Sequence, residues 1–540
     1  MRPGLKTSWI KVKKILLKTF GCQMNTYDSQ VAAGILEKAG FEVILDNDDT
    51  DVWTKKRPAN VLANEPGPGC EVSDGSLQPR LSLSEPSTGR EVLDKPLRPD
   101  IVLMNTCSVR DHAEERVWGR LGMLGVEKKE RPELVIGLMG CMVEEHREKL
   151  FKRFPYLDLM VGTRHVKELP EMIRQVYETR KQATLASLRE DDSVRVQGKP
   201  ATRIARIKQD GISIEYSEYT KRASGFHAWL PIMTGCNKAC TFCIVPLTRG
   251  SEVSMPAKKV YREAERLVAD GVKWITLLGQ NVNSYVSSEP GVGSLETKKG
   301  VLRTPNSELQ TESVFPKLLE TLCGIEGLER LSFTTSHPQD ATEELFQVVA
   351  KNPKIGRRFH LPLQSGSDRM LKRMKRLHTY ADFKAKIDRL RELVPEISIT
   401  TDIIVGFSGE TEDDHLATRR ALEEIRFDGA FIYKYSVRPG TPAAQLPDDV
   451  PAGIKSLRNQ ELLAVQKKIT DENSRAMLGK ERTVFVEGRI GDNPKEQVGR
   501  LDQDRRVIFE AGKDYAGQFV RLELTGLHHE TFRAKVVQSC

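Results

Sequence analysis

Through about the first 180 residues, short apolar runs of strand length alternate with stretches whose apolar residues recur at helical spacing. Lys14 to Thr19 reads as a strand. Ser29 to Ala39 reads as a helix whose Val31, Ile35 and Ala39 share a face, and Gly40 suits its C-terminal stop. The alternation resumes with Ile101 to Met104, a helix around His112 to Leu124, the run Leu134 to Met139, a helix after Val143 and a strand near Leu157 to Val161. Such alternation builds a parallel α/β sheet. Between Asn47 and Pro99 neither period holds, and seven prolines and four glycines point to a disordered insertion or a long surface loop. Ser284 to Thr311 is irregular in the same way.

A polar, basic connector runs from Thr179 to Lys221. Six strand-like runs follow, at Ala228 to Met233, Trp274 to Leu278, Arg330 to Thr334, Phe359 to Leu363, Ile397 to Val405 and Ala430 to Tyr435. Helical patterns separate them, among them Ala257 to Asp270, Glu343 to Ala350, Tyr380 to Leu393 and Glu412 to Ile425. Six βα units predict a partial barrel with its reactive groups at the carboxyl ends of the strands. The last sixty residues carry short alternating runs, Thr483 to Val486, Arg506 to Phe509, Phe519 to Leu524 and Phe532 to Val537, separated by Gly and Asp turns. The expected fold class is α/β: an amino-terminal parallel α/β domain at 11–178 with an insertion at 48–99, a linker at 179–224, a central partial (β/α)6 barrel at 225–474 with an insertion at 285–312, and a small all-β, OB-like barrel at 478–540.

Composition narrows the class. The 540 residues are 39% hydrophobic and 29% charged, enough for several separate cores, and no apolar run approaches the ~20 residues of a bilayer span. No membrane association is expected. The apolar patch Ile15 to Leu17 is too short for a secretion signal, so a cytoplasmic protein is expected. The net charge of +8 permits a polyanionic partner without requiring one. Nine cysteines, an odd number without a secretion signal, favour metal or redox chemistry over a disulfide framework.

Cys236, Cys240 and Cys243 form C-x3-C-x2-C directly after the first barrel strand. Closely spaced thiolates suit an iron-sulfur cluster, and three rather than four leave one iron of a 4Fe-4S cube open for a substrate. The alternative is a zinc site completed by a distant residue such as His227. The run GCNKACTFC, Gly235 to Cys243, resembles the cluster signature of the radical S-adenosylmethionine enzymes. That resemblance implies an open iron that chelates the amino and carboxylate groups of S-adenosylmethionine, whose one-electron cleavage makes a 5′-deoxyadenosyl radical. Phe242 inside the motif would shield the cluster from solvent.

Cys22, Cys107 and Cys141 are far apart in sequence, yet each follows a predicted strand of the amino-terminal sheet. In a parallel sheet all three project from one carboxyl edge, where open α/β folds bind ligands. For any one of them the plain reading is a buried core thiol. The runs TFGCQMNTYDS (Thr19 to Ser29), NTCSVRDHAEER (Asn105 to Arg116) and GLMGCM (Gly137 to Met142) resemble the amino-terminal domain of the methylthiotransferases. By that resemblance the three cysteines hold a second 4Fe-4S cluster, again with one iron free, where sulfur is handled. The resemblance covers nearly the whole chain, includes a carboxyl-terminal TRAM domain and fails only over the two insertions. Cys70, Cys323 and Cys540 are assigned no role.

Within that family, Gly21 to Asn25 (GCQMN), GQNVNSY (Gly279 to Tyr285), TTSHP (Thr334 to Pro338), LPLQSGSD (Leu361 to Asp368) and MKRLHT (Met374 to Thr379) are similar to the branch acting on isopentenylated adenosine in tRNA. The resemblance departs at Leu247, Met255 and Ser408. It implies addition of a methylthio group to carbon 2 of N6-dimethylallyladenosine beside the anticodon, with two molecules of S-adenosylmethionine consumed. It also implies a tRNA partner and an electron donor of flavodoxin or ferredoxin type, and the protein is expected to be a monomer. A branch acting on threonylcarbamoyladenosine in tRNA is the alternative, and a non-catalytic zinc and RNA-binding protein is the alternative of another class.

Gly279, Gln280 and Asn281 end the second barrel strand, Gln364 and Ser365 follow the fourth, and Asp402 lies in the fifth. At the barrel mouth these are candidate contacts to S-adenosylmethionine or substrate, with Asp402 suited to a ribose hydroxyl; the bland reading of each is an ordinary strand-end polar residue. The carboxyl-terminal barrel, with eleven Lys or Arg against ten Asp or Glu from Lys480 onward, gives no charge support for RNA binding, although the family resemblance assigns it tRNA affinity. Lys372, Arg373, Lys375, Arg376 and His378 form a better cationic cluster, or else a solvated helix face. Because the first insertion lacks any apolar period, replacing residues of about 50 to 97 by a short linker is expected to leave the iron content unchanged. Loss of iron on that deletion would mean that the segment carries a structural element.

Overall fold

Ile15, Leu16 and Leu17 are buried on both sides of a sheet, as are the runs beginning at Ile101 and Val135, which explains why these segments are continuously apolar rather than alternating. The computed structural model describes residues 13–46, 98–108, 111–147, 149–187, 203–207, 219–222, 224–287, 314–491 and 493–537. Most of the two expected insertions, 48–97 and 288–312, lies outside the described residues, as do Cys70 and Cys540.

Six strands form the amino-terminal sheet: β1 (Lys14–Phe20), β2 (Glu42–Asp46), β3 (Ile101–Thr106), β4 (Val135–Gly140), β5 (Leu159–Val161) and β6 (Ile204–Arg206). They lie in the order β2-β1-β3-β4-β5-β6, every pair parallel. Helices Gln23–Lys38 and Leu169–Ser187 bury Ala32, Leu36, Leu169 and Ile173 on one face, and helix Asp111–Glu130 buries Val117, Leu121 and Leu124 on the other. Within the expected connector, the first residues continue the helix to Ser187, and β6 adds a sixth strand. Only three residues long and half-exposed, β6 has no period that sequence can display.

The central unit contains β7 (His227–Pro231), β8 (Met233–Thr234), β9 (Val253–Ser254), β10 (Trp274–Leu278), β11 (Arg330–Phe333), β12 (Arg358–His360), β13 (Ser398–Val405) and β14 (Gly429–Lys434). Its six principal strands are parallel and divide into two three-stranded sheets, β11-β10-β7 and β12-β13-β14, joined by a bridge between Leu331 and Ile355. The fourth barrel strand is shorter than expected because Pro362 has no N–H for the ladder. Helix Ala452–Arg475 closes this unit; it buries Lys455, Arg458 and Gln466 beside Leu462 and Ile469, so its apolar residues show no clean face in sequence. Among the described residues, no helix is long and apolar enough to cross a membrane.

The carboxyl-terminal residues form a closed barrel of β15 (Glu481–Arg489), β16 (Glu496–Leu501), β17 (Arg506–Glu510), β18 (Phe519–His528) and β19 (Thr531–Val536), in the order β15-β16-β17-β19-β18. Strand β16 escapes a hydrophobicity reading because two of its three inward residues are Gln497 and Gly499. The small barrel packs on the amino ends of the central strands. Arg330, its side chain 2% exposed, pairs with Asp502, donates to the carbonyls of Arg500 (3.3 Å) and Leu501 (3.2 Å), and stacks near Trp274 and Phe519. Arg358 pairs with Asp504 at 2.5 Å, and Trp274 meets Phe485 edge-on.

Removing the small barrel would therefore unpair a buried guanidinium, so truncation near Arg475 tests stability as much as RNA binding. Asp502→Ala, which leaves Arg330 without its carboxylate, is expected to lower stability by about 2 kcal/mol, read as the shift in a urea unfolding midpoint. An unchanged midpoint would show that the carbonyl contacts alone satisfy Arg330.

Candidate functional site

From β1 the chain crosses to β2 on one side, and from β3 onward it advances on the other, so the strand order reverses between β1 and β3. A crevice opens at such a switch point, outside the carboxyl ends of the strands. Cys22 and Cys107 directly follow those two strands, and Cys141 follows β4. Gly21 holds a φ of 130°, and a Cβ there would sit 2.3 Å from the Cβ of Cys107. Cys22 is the extended residue that opens helix Gln23–Lys38, and its Sγ lies 3.1 Å from Asn25 Oδ1. Asn25 Nδ2 donates to Asn105 Oδ1 at 2.9 Å, while Asn105 Nδ2 donates to the Asn25 carbonyl (2.8 Å) and Ser29 Oγ (2.9 Å). This buried network ties the first cysteine motif to the second. Gly140, at a φ of 96°, lets the chain turn sharply into Cys141; a Cβ there would lie 2.3 Å from Asn105 Oδ1.

The barrel cysteines occupy the loop between β8 and β9, which pair as an antiparallel ribbon and fix both ends of the loop. Gly235, at a φ of 75°, donates its N–H to Gln280 Oε1 at 2.5 Å, and any side chain on it would meet the Ser251 carbonyl. The Cys236 N–H donates to the Gly250 carbonyl at 3.2 Å. Lys238 N–H reaches Cys236 Sγ at 3.4 Å. Cys240 receives Arg376 Nη1 at 3.3 Å, and His337 Nε2 lies 4.0 Å from the same sulfur. Because His337 Nδ1 accepts from the Gln339 N–H, and burial holds this imidazole far below its usual pKa, the neutral ring carries its proton on Nε2, facing the thiol. Burial pushes the Cys236 thiol up to about 11 and that of Cys243 up to about 12, as expected for apolar surroundings.

Arg376 thus points inward rather than toward solvent. Arg373, itself exposed, donates to the Ser408 carbonyl at 2.8 Å, and the same segment holds the cysteine loop through Thr241, whose N–H reaches the Met374 carbonyl. Lys372, Arg373 and Lys375 are exposed. The cationic run is therefore split between cluster loop and surface, which its sequence alone does not reveal.

The donor sets fit clusters better than a single ion. All six cysteines are free, and in neither set do the three sulfurs lie within 4.8 Å of one another, whereas a tetrahedral zinc with bonds of ~2.3 Å would draw its thiolates to roughly 3.8 Å. His227 does not complete a zinc site: it begins β7, at the end remote from the cysteine loop, between Trp229 and Trp274, with Nε2 2.9 Å from Thr276 Oγ1.

One cavity of about 710 Å³ lies between the amino-terminal unit and the barrel mouth; Cys22 and Cys243 both line it, together with Gly279, Gln280, Gln364 and Asp402. Gln364, at a φ of 76°, is pinned through its backbone to Asp402 and Ile404, while its Oε1 is buried without a hydrogen-bond partner, an acceptor left for a bound donor such as an ammonium or ribose hydroxyl. Asp402 faces His360 Nε2 at 3.4 Å. Phe242 also lines the cavity and meets Phe407 edge-on. Asn281 does not line it: its Nδ2 holds Asp340 Oδ2 at 2.7 Å, and Asp340 in turn accepts from Lys238, so Asn281 braces the cysteine loop. Ser365 is buried against Thr418. Of the three departures, Leu247 is exposed, Met255 is buried in the core and Ser408 bonds the Pro447 carbonyl; none lines the cavity. Cys323 packs in the barrel core, away from the site. Sequence reasoning missed His337 and His360, single histidines in strand-end segments, and assigned Arg376 to RNA.

Residues 230–422 match the Radical SAM superfamily, and residues 14–55 and 69–162 match the uncharacterized protein family UPF0004. The tRNA-2-methylthio-N(6)-dimethylallyladenosine synthase of Dictyoglomus thermophilum is 36% identical over 97% of this chain and 99% of its own length. The synthase of the same name from Carboxydothermus hydrogenoformans is 34% identical over 95% of this chain and 97% of its own. Among solved structures, the radical S-adenosylmethionine methyltransferase TsrM of Kitasatospora setae aligns with a TM-score of 0.45 at 14% identity, over 89% of this chain and 79% of that one.

Proposed function

The chain belongs to the tRNA-2-methylthio-N(6)-dimethylallyladenosine synthases, and on that premise we propose that it adds a methylthio group to carbon 2 of N6-dimethylallyladenosine beside the anticodon. It is a radical S-adenosylmethionine enzyme with tRNA as substrate, and its cofactors are 4Fe-4S clusters and S-adenosylmethionine. When bound, these groups would supply radical chemistry at the barrel cysteines and sulfur and methyl transfer at the amino-terminal cysteines. The C–H bond at carbon 2 of the adenine has no useful acidity, so the site needs no strong base, and His360 beside Asp402 is free to bind rather than to deprotonate.

The observation that carries this reading is the single cavity reached by Cys22 from one side and Cys243 from the other, which lets one substrate carbon meet both chemistries. Cys236, Cys240 and Cys243 hold the radical cluster, with Gln280 fixing the first turn of their loop and Arg376 donating to Cys240. Cys22, Cys107 and Cys141 hold the second cluster. Gln364 offers its unpaired Oε1 to S-adenosylmethionine, and Phe242 keeps water from the cavity wall. A flavodoxin or ferredoxin supplies the electron, and the enzyme acts as a cytoplasmic monomer.

Replacing Cys22, Cys107 and Cys141 together by Ala is expected to remove about half of roughly eight irons, to leave 5′-deoxyadenosine formation and to abolish thiolation. Replacing Cys236, Cys240 and Cys243 is expected to abolish deoxyadenosine while methyl transfer to protein-bound sulfur persists. Iron content, deoxyadenosine yield and mass spectrometry of tRNA nucleosides read the three effects; methylthio product from the first variant would return those cysteines to the core.

Lys372 and Lys375, exposed on the segment whose Arg376 reaches Cys240, stand beside the cysteine loop and are expected to take tRNA phosphates. Changing both to Ala should weaken tRNA binding and reduce its salt dependence by a slope of about 1 to 2, with S-adenosylmethionine cleavage unaltered. An unchanged slope would place the RNA elsewhere.

A further inference from the structure

Arg249, six residues beyond Cys243, follows the short helix Val245–Thr248 and reaches into the amino-terminal unit. The Arg249 side chain is only 6% exposed. Its Nη2 donates to Asp28 Oδ2 at 2.8 Å, and the guanidinium lies within electrostatic reach of Cys141 and Cys22. The backbone around it is held from both units. Arg164 of the amino-terminal unit donates to the Arg249 carbonyl at 3.0 Å, and the next carbonyl, that of Gly250, accepts from the Cys236 N–H at 3.2 Å. One turn therefore touches the first cysteine of the barrel set through its backbone and brings its guanidinium within electrostatic reach of the third cysteine of the other set.

Three thiolates and a cluster core bring net negative charge into a buried crevice, which is costly without a fixed counter-charge. Asp28 cannot supply it and instead orients the guanidinium fork. We propose that Arg249, contributed by the barrel, is a positioning residue for the amino-terminal cluster: it supplies the counter-charge and a thiolate hydrogen bond, and thereby raises the potential of that cluster while fixing its place relative to the radical centre. The inference rests on the two-cluster reading above. Loss of the cation disfavours the more reduced, more negative state, so the midpoint potential must fall when Arg249 is neutralised.

The test uses the full chain with Cys236, Cys240 and Cys243 replaced by Ala, reconstituted anaerobically, so that the iron signal comes from the amino-terminal set alone. R249Q is expected to keep the parental iron content and to lower the reduced-to-oxidised ratio at the parent's midpoint about tenfold in an EPR-monitored titration. R249K, which keeps the charge without the fork, should recover part of the shift. D28N, which frees the guanidinium from its carboxylate, should move the potential the other way. Parental iron with an unchanged potential in R249Q would overturn the proposal. If R249Q binds no iron, D28N decides: a raised potential supports the assignment, and an unchanged potential or lost iron overturns it. A parent without iron would overturn the two-cluster reading itself, a failure distinct from that of Arg249.

Discussion

The carboxyl ends of β1 and β3 approach so closely that residue 21 has no room for a side chain, since even a methyl group there would overlap Cys107. Everything distinctive about the site depends on that approach. It brings the first two cysteines of the amino-terminal set side by side at the point where the strand order reverses, and it permits the Asn25–Asn105 amide pair to bond across the crevice. Those amides are buried, and each finds its partners, so the network specifies one register between helix Gln23–Lys38 and β3. A strand pairing slipped by one residue would turn Asn105 to the other face of the sheet and dissolve the arrangement.

The two α/β units then have to stay in register with each other, because a cavity shared by Cys22 and Cys243 is useful only if its walls do not drift. Buried ion pairs perform this task better than apolar contact, which tolerates sliding. Arg249 pairs with Asp28, and Arg438 of the central unit lies 3.4 Å from Glu114, with all four side chains at most 12% exposed. Such pairs contribute little net stability after desolvation, but each has one acceptable geometry. Their value here is alignment, and the stability comes from the separate apolar cores of the units.

How far the sequence discloses this depends on where the signal lies. Fully buried parallel strands announce themselves as apolar runs, and Trp274–Leu278, Tyr380–Leu393 and Glu412–Ile425 occur with the bounds that periodicity implies. The small barrel hides β16 because Gln497 and Gly499 face inward, and helix Ala452–Arg475 is obscured by buried Lys455 and Arg458, whose charges are answered by Asp448 and Glu410. Cysteine spacing exposes one thiol set directly, and the equivalence of three strand ends exposes the other. What it cannot expose is the partner of each polar group. Asn281 and Arg376 occupy motifs next to the site, yet one braces Asp340 and the other the Cys240 thiol, choices made by side-chain rotamers across elements more than fifty residues apart.

The same point governs charge. A net +8 over 540 residues is modest for a chain that handles a polyanion, and several of its cations are used inside the protein: Arg249 and Arg376 beside the two cysteine sets, Arg330 under the barrel, Arg438 between units. Net charge alone therefore does not mark where RNA binds; the placement of the exposed cations has to. The small barrel sits at the opposite, amino ends of the central strands, where its contacts with Arg330 and Trp274 close the base of the barrel. Stability and chemistry are thus assigned to opposite ends of the same strands, so RNA that engages both must follow the outside of the central unit from its base to its mouth.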